Sequence, residues 1–225
     1  MSYSTLQVNL NGYDQPYSNK DKVAKENVLI TDRKQNVSGW KQQIVSDTNK
    51  EHPFNDVFKV RWNPFNYLND DYVVWVDGSV EVKADLLNII KAMENNKCEF
   101  AIVNHPDRNN IFAEYCEWCR IRNYDKKKAF MWLSYMSEQG LDTKHSGLYQ
   151  SNIMIFKNTP RIREFCSAVW NELHHFDKDN AERLDQTVAT FLLKTKFKDV
   201  RVLGINGMHS RNCREFTSHW NHPMR

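Results

Sequence analysis

The chain has 225 residues, 40% of them hydrophobic and 26% charged, with a formal net charge of +3. A chain of this length buries roughly 70 to 75% of its unfolded surface, enough for one substantial core or two small ones, and the composition excludes the disordered, collagenous and cysteine-stapled classes. No apolar run approaches the ~18 residues needed to cross a bilayer, and the opening Met1-Ser-Tyr-Ser-Thr-Leu-Gln7 lacks the basic and apolar regions of a secretory leader; the expectation is a single soluble, cytoplasmic domain over residues 1–225.

Strand-like and helix-like segments alternate along the chain. Leu6–Leu10 reads as a first strand, ending in Asn11-Gly12-Tyr13-Asp14, and Val28–Thr31 as a second, ending at Asp32. A short third strand is expected at Gln43–Val45. Then, beyond Phe54–Arg61 and a break at Pro64, comes Val73-Val-Trp-Val76, a run with nothing polar enough to face water, as in a central strand. It delivers one carboxylate, Asp77, to its end beside Gly78 and Ser79, the edge at which open α/β sheets place their ligand chemistry; the alternative is a plain Asp-Gly turn. Leu86, Leu87, Ile89, Ile90 and Met93 recur at helical spacing, and Phe100–Val103 is another strand, opening into Asn104-His105-Pro106-Asp107-Arg108.

The middle of the chain is helical and aromatic. Ile111–Arg122 and Lys126–Glu138 carry Phe112, Tyr115, Trp118, Phe130, Met131, Trp132 and Tyr135, a stripe expected to be core, with Gly140 as the stop. Ser151–Phe156 is a late strand, Pro160 starts a helix, Glu182–Leu193 forms another, and Val200–Leu203 is the last strand. This interleaving predicts an α/β fold with a mainly parallel sheet.

Five cysteines in a chain with no leader predict free thiols. Cys116 and Cys119 form a Cys-x-x-Cys pair, but a second pair at zinc spacing is missing, and the spacing of Phe112, Tyr115, Cys116 and Cys119 puts them on one side of a helix as small or aromatic hydrophobes. Charge is unevenly placed: residues 194–225 carry seven Lys/Arg against two acids, a net of +5, whereas residues 1–193 carry 24 against 26, a net of −2. The basic end either faces phosphate groups or is a solvated tail.

Several segments together resemble the glycosyltransferase-like domain of plant turgor-regulation and mucilage-synthesis proteins, related to nucleotide-sugar transferases of the GT-A fold. The matching pieces are Asn11-Gly-Tyr-Asp14, Thr31-Asp32, Lys59-Val-Arg-Trp-Asn-Pro64, Val74-Trp-Val-Asp-Gly-Ser79, His105-Pro-Asp-Arg108 with Glu114, Gln150-Ser-Asn-Ile-Met-Ile-Phe156 and Leu184-Asp-Gln186. They span roughly residues 5 to 195. The resemblance implies a GT-A type, Rossmann-like sheet and a hexosyl- or pentosyltransferase using a UDP-sugar. One departure is clear: many GT-A enzymes carry Asp-x-Asp at the strand end, where this chain has Asp77-Gly-Ser79.

A departing nucleoside diphosphate must be neutralised by a divalent cation or by Arg/Lys. Asp77 is a candidate oxygen ligand for Mn²⁺ or Mg²⁺, with Ser79 beside it; the resemblance implies His209 as a second ligand, an ordinary loop histidine being the alternative. Arg61 and Arg211 are candidates for the diphosphate. Tyr13 is a candidate to stack on the base and Asp32 to accept its N–H, uracil being implied by the resemblance alone; either residue is otherwise a turn former. His105, Arg108, Glu114 and Asn152 are candidates for the sugar pocket, with an Arg108–Glu114 structural pair as the alternative. Asp185-Gln186 is similar to the Asp-Gln of retaining GT-A enzymes, which implies a place at the reaction centre and retention of configuration; otherwise Asp185 lies on a solvated helix face.

The acceptor is a hydroxyl, either on a glycan or on a hydroxymethylated DNA base, the latter with Lys194, Lys196, Lys198, Arg211 and Arg214 on phosphates. A non-catalytic nucleic-acid-binding module explains the basic end but leaves the strand-end acids Asp32 and Asp77 unexplained. A nucleotidyltransferase also needs a metal-bound diphosphate, but its glycine-rich signature is missing.

Overall fold

A computed structural model describes residues 1–11, 16–46, 48–49, 53–206 and 215–218. Tyr13, His209, Arg211 and Arg214 lie outside the described residues.

The strands are β1 (Tyr3–Asn9), β2 (Asn27–Thr31), β3 (Lys41–Ile44), β4 (Tyr72–Val76), β5 (Val80–Val82), β6 (Phe100–Asn104), β7 (Tyr149–Lys157), β8 (Val202–Ile205) and β9 (Phe216–Ser218). The helices are α1 (Pro53–Arg61), α2 (Leu87–Asn95), α3 (Ile111–Ile121), α4 (Lys126–Glu138), α5 (Pro160–Leu173) and α6 (Asp185–Thr195). Seven strands form one sheet in the order β3-β2-β1-β4-β7-β6-β8, while β5 and β9 pair separately. β7 alone runs antiparallel to its neighbours in the large sheet. The expected mainly parallel α/β sheet is present, consistent with a GT-A-like fold.

All five residues of β4 are buried, because it sits mid-sheet with both faces covered. One face packs Leu6, Val73, Trp75, Met154 and Phe156 against α1 and α3 to α6; the other packs Tyr3, Val74, Val76 and Ile155 against α2 and the small sheet. Trp62, Phe100, Phe156 and Phe165 form a tight aromatic knot on the first face, with Trp62 edge-on to both Phe156 and Phe165 at about 6 Å. Each such contact adds about 0.5–1.5 kcal/mol beyond area burial. Helix starts follow the local chemistry: Asn110, Asp125 and Thr159 cap α3, α4 and α5 by accepting first-turn amides, and Pro160 occupies a position whose N–H would be idle.

The aromatic stripe of α3 and α4 is only partly core. Ile111, Glu114 and Tyr115 are the buried residues of α3, whereas Phe112 and Cys116 are exposed. Phe130 and Met131 likewise face outward on α4. The helix turns a stripe at positions i, i+3, i+4 and i+7 toward the sheet, and that stripe runs through Glu114 rather than Cys116. Cys98, Cys116, Cys119 and Cys166 are free thiols, as expected; Cys213 lies outside the described residues. No helix among the described residues is long and apolar enough to cross a membrane.

Candidate active site

β1, β2, β4 and β6 run in one direction, so their C-terminal ends share one edge of the sheet, and antiparallel β7 begins at that same edge. The edge therefore collects Asn11 and Asp32, Asp77, His105, and the segment Gln150–Asn152. Asp77 is held at the end of β4 by its backbone: its N–H donates to Asn152 O at 2.8 Å, and its carbonyl accepts from Gln7 Nε2 at 3.0 Å and from the Val80 N–H at 2.9 Å. Ser79 is buried in the turn that follows.

A chain of charges crosses the edge. Arg61, the last residue of α1, donates Nη2 to Asp77 Oδ1 at 2.6 Å and Nη1 to Asp185 Oδ2 at 2.7 Å. Its guanidinium lies 4.8 Å from the Trp75 ring centroid. The fork geometry of arginine allows one side chain to bridge two carboxylates, which a lysine point charge would not. Asp185 is the first residue of α6, where the helix dipole favours an anion. It also accepts from Trp62 Nε1 at 3.1 Å and Ser151 Oγ at 3.0 Å. Asp185 is therefore buried and fully bonded, not on a solvated helix face. Arg61, a candidate for the diphosphate, is 6% exposed and bonded to both carboxylates.

The next residue, Gln186, opens a second cluster. Its Nε2 donates to Glu114 Oε1 at 2.6 Å, which also accepts from Trp118 Nε1 at 2.8 Å. Arg108 Nε donates to Glu114 Oε2, and Arg108 Nη2 sits 3.1 Å from His105 Nε2. His105 Nδ1 accepts the Asp107 and Arg108 amides at 3.3 and 3.1 Å, and its Nε2 lies 3.8 Å from Glu114 Oε2. Burial pushes the Glu114 carboxyl above its ordinary range, against the opposing pull of Arg108 and the hydrogen bonds. The Arg108–Glu114 pair expected as the structural alternative is thus present, but as part of a larger network.

Two loose ends lie along the same edge. Asp32 Oδ2 accepts the Asn11 N–H at 2.9 Å, while Asp32 Oδ1 and Asn11 Nδ2 are buried with no partner. Asn152 Nδ2 is also buried and unpartnered, its Oδ1 being taken by the Ile153 N–H at 3.0 Å. Buried polar atoms without partners are rare and costly.

Seven candidate residues thus meet in two adjoining clusters, Asp77, Arg61 and Asp185 in one and Gln186, Glu114, Arg108 and His105 in the other, joined through the backbone of Asp185 and Gln186. Trp62, Ser151 and Trp118 belong to these clusters although the sequence assigned them no role; the first two stand inside the quoted Lys59–Pro64 and Gln150–Phe156 segments, so position beside a candidate was the available signal. Among the described residues no group of three or more His, Cys, Asp or Glu is placed to hold a metal ion. Asp77 is the one described member of the expected Asp77–His209 pair. Lys196 is paired with Glu172 at 3.5 Å and the Lys194 ammonium lies 5.7 Å from the Tyr149 ring centroid, so two of the three lysines expected on DNA phosphates have protein contacts.

The family model described as TOD1/MUCI70, glycosyltransferase-like domain matches residues 18–219. The chain belongs to this family. Within the TOD1/MUCI70 match lie β2 to β9, all six helices and both clusters from Asp77 to His105; Asn11 and Tyr13 precede it. Glycosyl transfer is the general role that TOD1/MUCI70 membership supports, with a sugar donor and an acceptor as its partners. No curated protein matches the chain.

Proposed function

We propose that this domain moves a sugar from a UDP-sugar to a hydroxyl acceptor, with retention at the anomeric carbon. The observation that carries the reading is the pair of polar clusters at the C-terminal strand edge, one holding Asp77 and the other Glu114, Arg108 and His105, which the adjacent α6 residues Asp185 and Gln186 bring side by side. At the nucleotide end, Asp32 Oδ1 accepts a base N–H and Asn11 Nδ2 donates to an adjacent carbonyl, the pattern that uracil presents, with Tyr13 stacked on the ring. Asp77 and His209 would hold Mn²⁺ or Mg²⁺, with Ser79 following Asp77 in the chain and Arg211 for the phosphates; the cation would supply positive charge to the departing diphosphate.

His105, Arg108 and Asn152 orient the sugar, with Glu114 fixing the first two. Asp185 and Gln186 divide their work in this proposal. Asp185, with both oxygens bonded inside the protein, positions Arg61, whereas half-buried Gln186 faces the sugar.

The test is UDP release by the purified protein from a panel of UDP-sugars, with and without Mn²⁺, for wild type and Asp77→Asn. Turnover of at least one UDP-sugar that is lost in the variant, with the fold retained, is expected. Absence of both UDP binding and turnover at every divalent concentration, or wild-type turnover in Asp77→Asn, refutes the assignment.

A further inference from the structure

Beside the clusters lies a cavity of about 370 Å³ that no role yet explains. It is built from three separate parts of the chain: the start of α1, the end of α3 with its turn into α4, and the 177–183 loop that leads into α6. Its volume falls within the range of small-molecule sites. Its position ties it to the clusters at two points: Trp118 lines it and donates to Glu114, and Arg183 lines it two residues ahead of Asp185. Asn55 holds the loop in place by accepting the Ala181 N–H at 2.9 Å.

The lining identifies the class of ligand. Phe54, Trp118 and Tyr124 supply aromatic surface, and between them stand both donors and acceptors. The charges balance in pairs: Lys128 lies 3.6 Å from buried Glu182, and the two remaining cations, Arg122 and Arg183, are matched in number by Asp125 and Asp177. A phosphate backbone would meet two carboxylates with no net positive charge to offset them, which disfavours nucleic acid here. A saccharide suits this lining, because its hydroxyls both donate and accept while its C–H faces rest against rings.

We propose that this cavity is the acceptor subsite, and that the acceptor is a neutral saccharide rather than a base in DNA. The proposal rests on the transferase reading above for the word acceptor, but the saccharide site stands on the cavity itself. Arg122 is exposed at the rim and Asp177 lines the loop wall, and neither belongs to the Asp77 or the Glu114 cluster.

The experiment has two independent readouts on the full chain. One is binding to a glycan array of neutral oligosaccharides, with hits titrated by saturation-transfer NMR against a duplex carrying hydroxymethylated bases. The other is UDP release without acceptor. Arg122→Ala and Asp177→Asn are each expected to weaken saccharide binding about tenfold, the scale of one lost charged hydrogen bond, while UDP release stays at the wild-type rate. No saccharide bound across the array, unchanged affinity in both variants, or duplex DNA binding that both variants weaken instead, each overturns the proposal. Saccharide binding with no turnover of any UDP-sugar removes the acceptor role and the transferase reading together, leaving only a saccharide site. Turnover with no saccharide binding removes the cavity's role and leaves the transferase reading intact.

Discussion

Replacing Arg61 with Met keeps an unbranched apolar stem of similar reach and removes the guanidinium that lies between Asp77 and Asp185. Breaking a buried ion pair by deleting one partner costs about 3–5 kcal/mol, because the remaining charge is left uncompensated. Two features adjust that figure here. The Asp185 side chain is 6% exposed and cannot recruit water, whereas the Asp77 side chain at 21% recovers some hydration. A net loss of about 4 kcal/mol is expected. At about 2–4 °C per kcal/mol for a domain of this size, the unfolding midpoint should fall by roughly 8–16 °C. Arg61→Lys retains the charge but not the fork, and should lose about half as much. Thermal unfolding followed by circular dichroism at neutral pH measures both. The double variant Arg61→Met, Asp185→Asn supplies the decisive comparison: neutralising the stranded carboxylate should make the pair of changes less damaging than their sum by at least about 1 kcal/mol. A midpoint within about 2 °C of wild type, or strict additivity in the double variant, would refute the view that Arg61 holds these two carboxylates.

Three further outcomes follow from local geometry. Burial raises the Glu114 carboxyl above the ordinary glutamate range, so the folded state holds the proton more tightly than the unfolded chain; the stability this contributes is present below that range and is lost as pH rises through the raised pKa. Urea midpoints measured across that window should therefore slope downward with pH more steeply in wild type than in Glu114→Gln, and equal slopes would contradict the assignment. Gly39 has φ +81° and a Cβ there would lie 1.9 Å from Asn19 O, so Gly39→Ala should cost at least about 2 kcal/mol in denaturant unfolding, an unchanged midpoint being the contrary result. Trp62→Phe keeps an aromatic ring against Phe156 and Phe165 but deletes the donor to Asp185, which should cost about 1–2 kcal/mol in the same assay, whereas a gain in stability would show that the hydrogen bond contributes nothing.

The alternation of strands and helices was legible because each long element carries its own period, and β4 and α4 lie within a residue of where the apolar pattern puts them. The small sheet was not. β5 and β9 are three residues each, and what makes them strands is pairing between Val82 and Phe216, a contact no local window contains. The direction of β7 was also hidden, since a strand buried on both faces reads as the same apolar run whichever way it points. At the site, the sequence offered the acids at strand and helix ends but not their partners. Arg61 reaches Asp185 only because the end of α1 and the start of α6 meet at the same edge of the sheet, and that juxtaposition is a tertiary fact.

The misreading of α3 contains the most transferable lesson. Hydrophobic type alone grouped Phe112 and Cys116 with Tyr115, but the stripe at Ile111, Glu114, Tyr115 and Trp118 fits the helical period equally well and contains a carboxylate. A lone ionised carboxylate on a buried stripe costs several kcal/mol unless donors meet it. Reading the stripe that way predicts that donors must converge on Glu114 from outside the helix, and two residues that do so, Arg108 and Gln186, stand in segments quoted for their resemblance to a sugar transferase, Arg108 in the same piece as Glu114 and Gln186 in another. A periodicity that admits an acid is thus informative in its own right, because the free energy of burying that acid requires the rest of a site to be assembled around it.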